Sequence, residues 1–319
     1  LVHRGPDGAG VWSGPGIALG HRRLSIIDLA GSPQPMLSGD GRSVIVFNGE
    51  IYNYLELKAS LEGRHRFSTE TDTEVILHLY EEKGPDCIQD LNGMFAFGLW
   101  DRKDRTLTLV RDRLGEKPLY YGWQGKTLLF GSELKALRAH PDFRGEIARD
   151  ALVEVLRHGH VGGDRAIYDG IAKVRPGEMV TLSLTDPTPK PTLYWDGAAV
   201  AAAPKPPRRS DEETVDALES LLMEAVGQQM MSDVPLGAFL SGGIDSSVVV
   251  ALMQHQSAKP VHTFSIGFHE ARYNEAEFAR AVADHLGTHH TDLYVSDQEL
   301  RDVVPRLPAI YDEPFADSS

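Results

Sequence analysis

A seven-residue string, Ser241-Gly242-Gly243-Ile244-Asp245-Ser246-Ser247, follows the apolar run VPLGAFL (234–240) and precedes the helix-forming run SSVVVALMQ. An apolar strand, a tight glycine turn and a helix start make one half of a crossover unit, so this stretch calls for a parallel sheet with helices on it. In such sheets ligands sit at the carboxyl ends of the strands. The helix start offers free N–H groups and a partial positive charge to an anion. Two glycines let the backbone approach that anion closely, and three serines add hydroxyl donors. Asp245 opposes a phosphate unless a divalent cation lies between them, so Mg²⁺ on Asp245 is the simplest role for it. The bland alternative is a glycine turn with serine as N-cap. There is no GxxxxGK[ST] string here and no lysine to reach a terminal phosphate.

The rest of the C-terminal stretch agrees with a crossover fold. Ser210-Asp211-Glu212-Glu213 reads as a capping box, opening a helix with an apolar stripe at Val215, Leu218, Leu221, Leu222 and Val226. Strands are expected at 261–268 and 288–295, and a helix at 275–287 ending on Gly287. Ser296 with Glu299 caps a further helix. His289 and His290 are adjacent on a strand and point to opposite faces, so they cannot chelate one ion together.

The N-terminal stretch has a different rhythm. VIVF (44–47), FAFGLW (95–100), TLTLV (106–110), PLYYGW (118–123) and TLLFGS (127–132) predict an antiparallel meander. One helix is expected after Tyr52. Another is expected from Thr71-Asp72-Thr73-Glu74, a second capping-box pattern, to a stop at Gly84. Strands grouped apart from helices indicate an α+β layered fold. Between the two halves, six of the 19 prolines fall in residues 186–210. That predicts a linker, with Tyr194 and Trp195 as one anchoring patch. The expected division is therefore 1–185, a linker 186–210, and 211–319.

Composition excludes some classes. The net charge of −14, spread along the chain, disfavours nucleic acid and anionic membranes as partners. No apolar run reaches 18 residues. One cysteine, Cys87, rules out an internal disulfide framework, and its mid-chain position past a helix stop suits a small packing residue. A cytoplasmic setting is expected. The first residue is Leu1 and the sequence ends within a polar segment, so truncation at both ends is also expected.

Ordered motifs run through the chain: HRGPD (3–7), RLSIID (23–28), FNGEIYN (47–53), TDTEVI (71–76), RDRLGEKPLYY (111–121) and SDVPLGAFLSGGIDSS (232–247). The last resembles the signature of ATP pyrophosphatases of the PP-loop type, which split ATP between its α and β phosphates. Together the six resemble glutamine-hydrolysing asparagine synthetases. The resemblance implies an Ntn-hydrolase αββα sandwich of the class II glutamine amidotransferase type, followed by an incomplete α/β PP-loop (HUP-like) domain. It implies ATP and Mg²⁺ as cofactors, and glutamine and aspartate as substrates. A homodimer stays open. The implied chemistry is amidation of aspartate through β-aspartyl-AMP, with ammonia from glutamine. An alternative is a similar enzyme acting on another carboxylate; a rival of another class is a glutamine-binding regulator without activity.

The resemblance also assigns residues. Arg23 would grip the α-carboxylate of glutamine, with Leu24, Ser25, Ile26 and Ile27 lining that pocket. Glu50 and Asp72 would meet the α-ammonium. Asn48 and Gly49 would form the oxyanion hole. Residues 241–247, with Leu240 and Ile266 framing the nucleoside, would bind ATP. Each has a plainer reading: Arg23 as a surface ion-pair partner, Asn48-Gly49 as a type I′ turn, Asp72 as a helix-start charge. Glu313 is balanced between binding magnesium or the activated acid and being a solvated loop acid. The family's nucleophile is an N-terminal cysteine. Cys87 cannot fill that role, so the expectation is a cysteine upstream of Leu1.

Overall fold

The computed structural model describes residues 1–29, 31–205, 209–270, 272 and 274–316. The chain forms two compact units. The first holds residues 1–203 and 307–319; the second holds 204–306.

In the first unit the chain runs β1 (Gly8–Gly14), β2 (Ile17–Arg23), β3 (Met36–Leu37), β4 (Ser43–Ile51), α1 (Tyr54–Leu61) and α2 (Asp72–Lys83). It continues through β5 (Gly93–Asp101), β6 (Thr106–Arg111), β7 (Tyr120–Gln124), β8 (Thr127–Gly131), α3 (Leu134–Arg138) and α4 (Arg149–His158). Strands β9 (Ile171–Lys173), β10 (Glu178–Ser183) and β11 (Lys190–Leu193) follow, then α5 (Gly197–Ala202). A six-stranded antiparallel sheet has the order β11-β10-β6-β5-β4-β3. A three-stranded sheet, β8-β7-β9, and the β1-β2 hairpin complete the strands.

Period-2 alternation explains how these stack. Along β4, Ile45 and Phe47 join a core with Val75, Ile76 and Leu79 of α2, while Val44 and Val46 join a second core with Leu19, Leu119 and Val174. The six-stranded sheet is therefore buried on both faces, which is why its strands read as continuous apolar runs. A third core packs Leu129 and Ile171 of the small sheet against Leu134 and Leu137 of α3 and Ala151 of α4. The layers are helix, sheet, sheet, helix.

Three expectations need correction. The predicted meander is split, because β6 and β7 do not pair and belong to different sheets. The cause is Asp112, fully buried, whose carboxylate accepts from the backbone N–H groups of Phe95, Leu114, Glu116 and Lys117 and turns the chain out of the first sheet. The linker expected at 186–210 carries β11 and α5, and the boundary falls at 203/204. Its aromatic patch anchors it: the Tyr194 hydroxyl donates to the carbonyl of Arg111 at 2.6 Å. The capping box at Thr71 does not form. Thr71 caps Thr73, but Glu74 turns away and accepts from the backbone and hydroxyls of Ser68 and Thr69.

The second unit runs α6 (Asp211–Gln229), β12 (Gly237–Phe239), α7 (Ile244–Gln256), β13 (His262–Phe268), α8 (Ala276–Leu286), β14 (His289–Val295) and α9 (Asp297–Val303). Its sheet is parallel, in the order β12-β13-β14. The capping boxes at Ser210 and Ser296 are both formed. The expected stripe on α6 is not buried: Val215, Leu218 and Leu221 all face solvent. His289 is exposed, while His290 turns inward onto Thr263 and Asp292, as strand alternation requires. The chain then returns to the first unit with α10 (Leu307–Tyr311). Among the described residues, no helix is long and apolar enough to cross a membrane.

Candidate active site

In the first unit a cavity of about 920 Å³ opens where the end of β2, the end of β4 and the start of α2 converge. Arg23, Leu24, Ile26, Ile27, Asn48, Gly49, Glu50 and Asp72 all line it. Ser25 supports it from behind, accepting from the Arg23 guanidinium at 2.7 Å. Arg23 also donates to the carbonyls of Ile27, Asp28 and Leu29. In this structure its guanidinium therefore organises the loop after β2 rather than pairing with a surface acid.

Asn48 and Gly49 are not a turn. Both lie inside β4, paired with Ala96 and Phe95 of β5. A side chain at position 49 would meet the carbonyl oxygen of Met94 at 2.2 Å, so only glycine lets the two strands close here. Nδ2 of Asn48 is buried and has no hydrogen-bond partner among the described residues. A buried amide donor without a partner costs about 1–3 kcal/mol. An oxyanion in the cavity would relieve that cost.

Two acids line the same cavity. Asp72 is buried at the N-terminus of α2 and accepts from the backbone N–H of Ile51 at 3.0 Å. Burial pushes its carboxyl above the ordinary range, against hydrogen bonds from Ile51, Thr71 and Thr73 that pull it down. Glu50, half-buried, is likewise raised by burial; Lys117 pulls it down and Asp72 pushes it up. Two neighbouring carboxyls with raised pKa values suit a cationic group.

In the second unit the 241–247 loop sits at the carboxyl end of β12. Gly242 has φ +80°, and a side chain there would meet the backbone of Phe278 and Ala279 on α8 at 2.7 Å. The Oγ atoms of Ser241 and Ser246 are 2.9 Å apart, tying the two ends of the loop together. Ser247 Oγ is buried without a partner among the described residues. Asp245 is exposed in the first turn of α7. Ile266 is half exposed on β13, and the Leu240 side chain is buried with Val250, Ala279 and Ala283.

Family comparison identifies both stretches of the chain. Residues 1–195 match the glutamine amidotransferase domain model, and residues 217–319 match the asparagine synthase model. The chain belongs to the glutamine amidotransferase family, with an asparagine synthase domain following. A putative glutamine-hydrolysing asparagine synthetase 2 of Methanocaldococcus jannaschii is 37% identical over 341 residues, covering 100% of this chain and 65% of that protein. Glutamine-hydrolysing asparagine synthetase 3 of Bacillus subtilis is 36% identical over 340 residues, covering 98% and 53%. The chain thus spans between about half and two thirds of the curated relatives it matches. Glutamine phosphoribosylpyrophosphate amidotransferase of B. subtilis, a solved structure, aligns at 17% identity over 86% of this chain and 50% of that one, with a TM-score of 0.40.

Residues to which the sequence reading gave no role also line or brace the cavity. His21 lines the cavity and its Nε2 meets the carbonyl of Phe47 at 2.9 Å. Gln34 accepts from the N–H of the same Phe47 at 2.7 Å. These two side chains take both backbone hydrogen-bonding groups of the residue before Asn48. Lys117 lines the cavity at the end of the loop that Asp112 organises. His21 adjoins the RLSIID motif, which is the one signal that pointed to it. Cys87 is buried, and burial pushes its thiol up to about 12. It is a packing residue of the α2 core.

Glu313 fits neither of its expected roles. Its carboxylate accepts from the Ile167 N–H at 2.8 Å and pairs with Lys173 at 2.8 Å, largely out of solvent. Its neighbour Asp312 accepts from the Lys135 N–H at 2.9 Å. The returning segment is fastened to the amidotransferase domain by two carboxylates.

Proposed function

We propose that the protein of which this chain is part makes asparagine from aspartate, ATP and glutamine. In this reading the first unit is an Ntn-hydrolase-type glutaminase. The second is the start of a PP-loop synthetase domain that forms β-aspartyl-AMP and releases pyrophosphate. The observation that carries the reading is the unpartnered, buried Nδ2 of Asn48 facing the same cavity as Arg23, Glu50 and Asp72.

Glutamine enters with its α-carboxylate at Arg23 and its α-ammonium between Glu50 and Asp72. Those contacts leave its side-chain amide beside Asn48. When a nucleophile attacks the amide carbon, the carbonyl oxygen gains negative charge, and Asn48 with the backbone at Gly49 stabilises it. Cys87 is not that nucleophile, because it is buried and its thiol is held protonated.

The donor set in the second unit fits a pyrophosphate. Ser247 Oγ lacks a partner, Gly242 keeps the loop free of side-chain bulk, and α7 starts at this point. Asp245 would hold Mg²⁺, which supplies charge neutralisation for departing pyrophosphate. Ser241 and Ser246 keep the loop closed around that space.

The test is a reaction with glutamine, aspartate and ATP, following asparagine, glutamate, AMP and pyrophosphate together. Equal release of AMP and asparagine supports the proposal. ADP in place of AMP would sink the PP-loop assignment. AMP formed only with a different carboxylic acid would move the acceptor away from aspartate.

A further inference from the structure

Away from the cavity, two histidines and a glutamate meet on the outer side of α2. Nδ1 of His78 lies 2.8 Å from Oε2 of Glu81, and Nδ1 of His65 lies 3.3 Å from the same oxygen. The two imidazole centroids are 4.5 Å apart, and Phe67 sits edge-on against His78. One ligand atom from each of the three residues falls within 4.8 Å of the others. The remaining ring nitrogens face other carboxylates. Nε2 of His65 is 3.0 Å from Glu82, and Nε2 of His78 is 3.7 Å from Glu74, too far for a hydrogen bond. That Nε2 is buried and unpartnered among the described residues.

Proton placement makes this arrangement awkward for neutral imidazoles. If His65 donates from Nε2 to Glu82, its Nδ1 lone pair faces a carboxylate oxygen of Glu81. If His78 donates from Nδ1 to Glu81, its Nε2 lone pair faces Glu74. A divalent cation among both Nδ1 atoms and Glu81 resolves both conflicts at once. It puts each proton on Nε2, directed at Glu82 and Glu74. That is the outer-shell pattern in which a metal-bound histidine turns its other N–H to a carboxylate. In a tetrahedral zinc site ligand atoms stand about 3.3 Å apart, close to the 2.8 and 3.3 Å that separate the two Nδ1 atoms from Glu81. Two imidazoles with one carboxylate suit zinc better than magnesium or calcium.

We propose that His65, His78 and Glu81 form a zinc-type site on α2, with a fourth position open to water. It is separate from the proposed chemistry of the cavity. Its physical effect is to tie the turn after α1 to the body of α2, the helix whose first residue is Asp72.

The experiment uses the whole chain, stripped with chelator and titrated with Zn²⁺ by calorimetry, with Co²⁺ absorption as a second probe. Wild type should take up one zinc per chain and show the intense visible bands of tetrahedral cobalt. Its melting temperature should rise with zinc. His65→Asn and Glu81→Gln should each weaken zinc binding by more than about tenfold, since loss of an outer-shell partner alone costs about 10–100-fold. Should either fail to fold, as judged by its metal-free melt, Glu82→Gln tests the same site from the outer shell, with about a tenfold loss expected. Absence of stoichiometric zinc uptake by wild type overturns the proposal. So does unchanged affinity in the folded variants, which would put the zinc elsewhere among the 13 histidines.

Discussion

Nε2 of His21 lies 2.9 Å from the carbonyl oxygen of Phe47, the residue immediately before Asn48. The other ring nitrogen is buried and unpartnered among the described residues. Burial lowers the pKa of this histidine; the bond to Phe47 pulls it up, and nearby Arg23 pushes it down. Burial favours the neutral ring, which then donates to the strand that carries Asn48.

His21→Phe keeps the ring volume and removes that donor. We expect glutaminase kcat to fall about tenfold, less than the roughly 10²–10³ that loss of a direct oxyanion donor costs, with KM little changed. Steady-state glutamate release checks it. The pH dependence of stability gives a second readout. A histidine with a depressed folded pKa loses stability as pH falls below its unfolded value of about 6.5. Wild type should therefore weaken through that window, and the variant less. Equal acid sensitivity in both would show that His21 is not the titrating group.

Asp72 and Glu50 predict how glutamine binding responds to pH. Both carboxyls are raised, chiefly by burial. An ammonium ion binds the ionised pair, so affinity should drop on acidification at a pH above the ordinary carboxylate range. The sign for stability is opposite. Raised carboxyls bind protons more readily in the folded state, so they cost stability as pH rises from about 4 towards their folded values. Asp72→Asn should weaken glutamine binding while making the pH dependence of binding shallower. Calorimetric titration of glutamine at several pH values would decide; a flat wild-type profile would refute the pairing.

The carboxylates of Asp312 and Glu313 make a prediction about folding. Glu313 reaches Ile167, Lys173 and Tyr120, all in the first unit. Glu313→Ala strands the Ile167 N–H and leaves Lys173, among the described residues, with the Val161 carbonyl and the face of Tyr120. A cost of about 2–3 kcal/mol follows from losing hydrogen bonds to a charged group. Glu313→Gln, which keeps an acceptor for Ile167 but no charge, should cost about half as much. Denaturant unfolding of the three proteins tests this, and indistinguishable midpoints would contradict the clamp.

How much of this was written in the residues depends on the range of the interaction. Local rules served well where the partner was three or four residues away: the boxes at Ser210 and Ser296 formed. The one at Thr71 failed because Glu74 found better donors in Ser68 and Thr69, just outside the helix. Apolar runs such as VIVF gave the strands, and their lack of polar alternation reflects burial on both faces. They did not reveal which sheet each strand joins, because that is decided by Asp112 gripping Phe95 across the chain. Proline density suggested a linker at 186–210, yet β11 is an edge strand, where proline is tolerated. Arg23, Asn48, Glu50 and Asp72 were legible as a set and share one cavity. His21 and Gln34 act by bonding to backbone, which leaves no side-chain pairing to notice. His65 was hidden because its partners lie on α2, although His78 and Glu81 stand three apart on one helical face.

The second unit offers a test that separates folding from chemistry. Ser247 Oγ is buried with nothing to bond. Replacing a buried unsatisfied hydroxyl by hydrogen removes a desolvation cost, so Ser247→Ala should leave stability unchanged or raise it slightly. If that hydroxyl meets a phosphate of ATP, the same variant should slow ATP–pyrophosphate exchange about tenfold, the worth of a hydrogen bond of about 1.4 kcal/mol to a charged group. Gly242→Ala should behave differently. Its φ of +80° and the 2.7 Å approach of α8 leave no room for a side chain, so it should lower stability and abolish exchange together. A Ser247→Ala protein that is as active as wild type would remove Ser247 from the nucleotide site. A destabilised one would mean that the hydroxyl is bonded within the fold, and the loop's fitness for pyrophosphate would then rest on its backbone and on Asp245 alone.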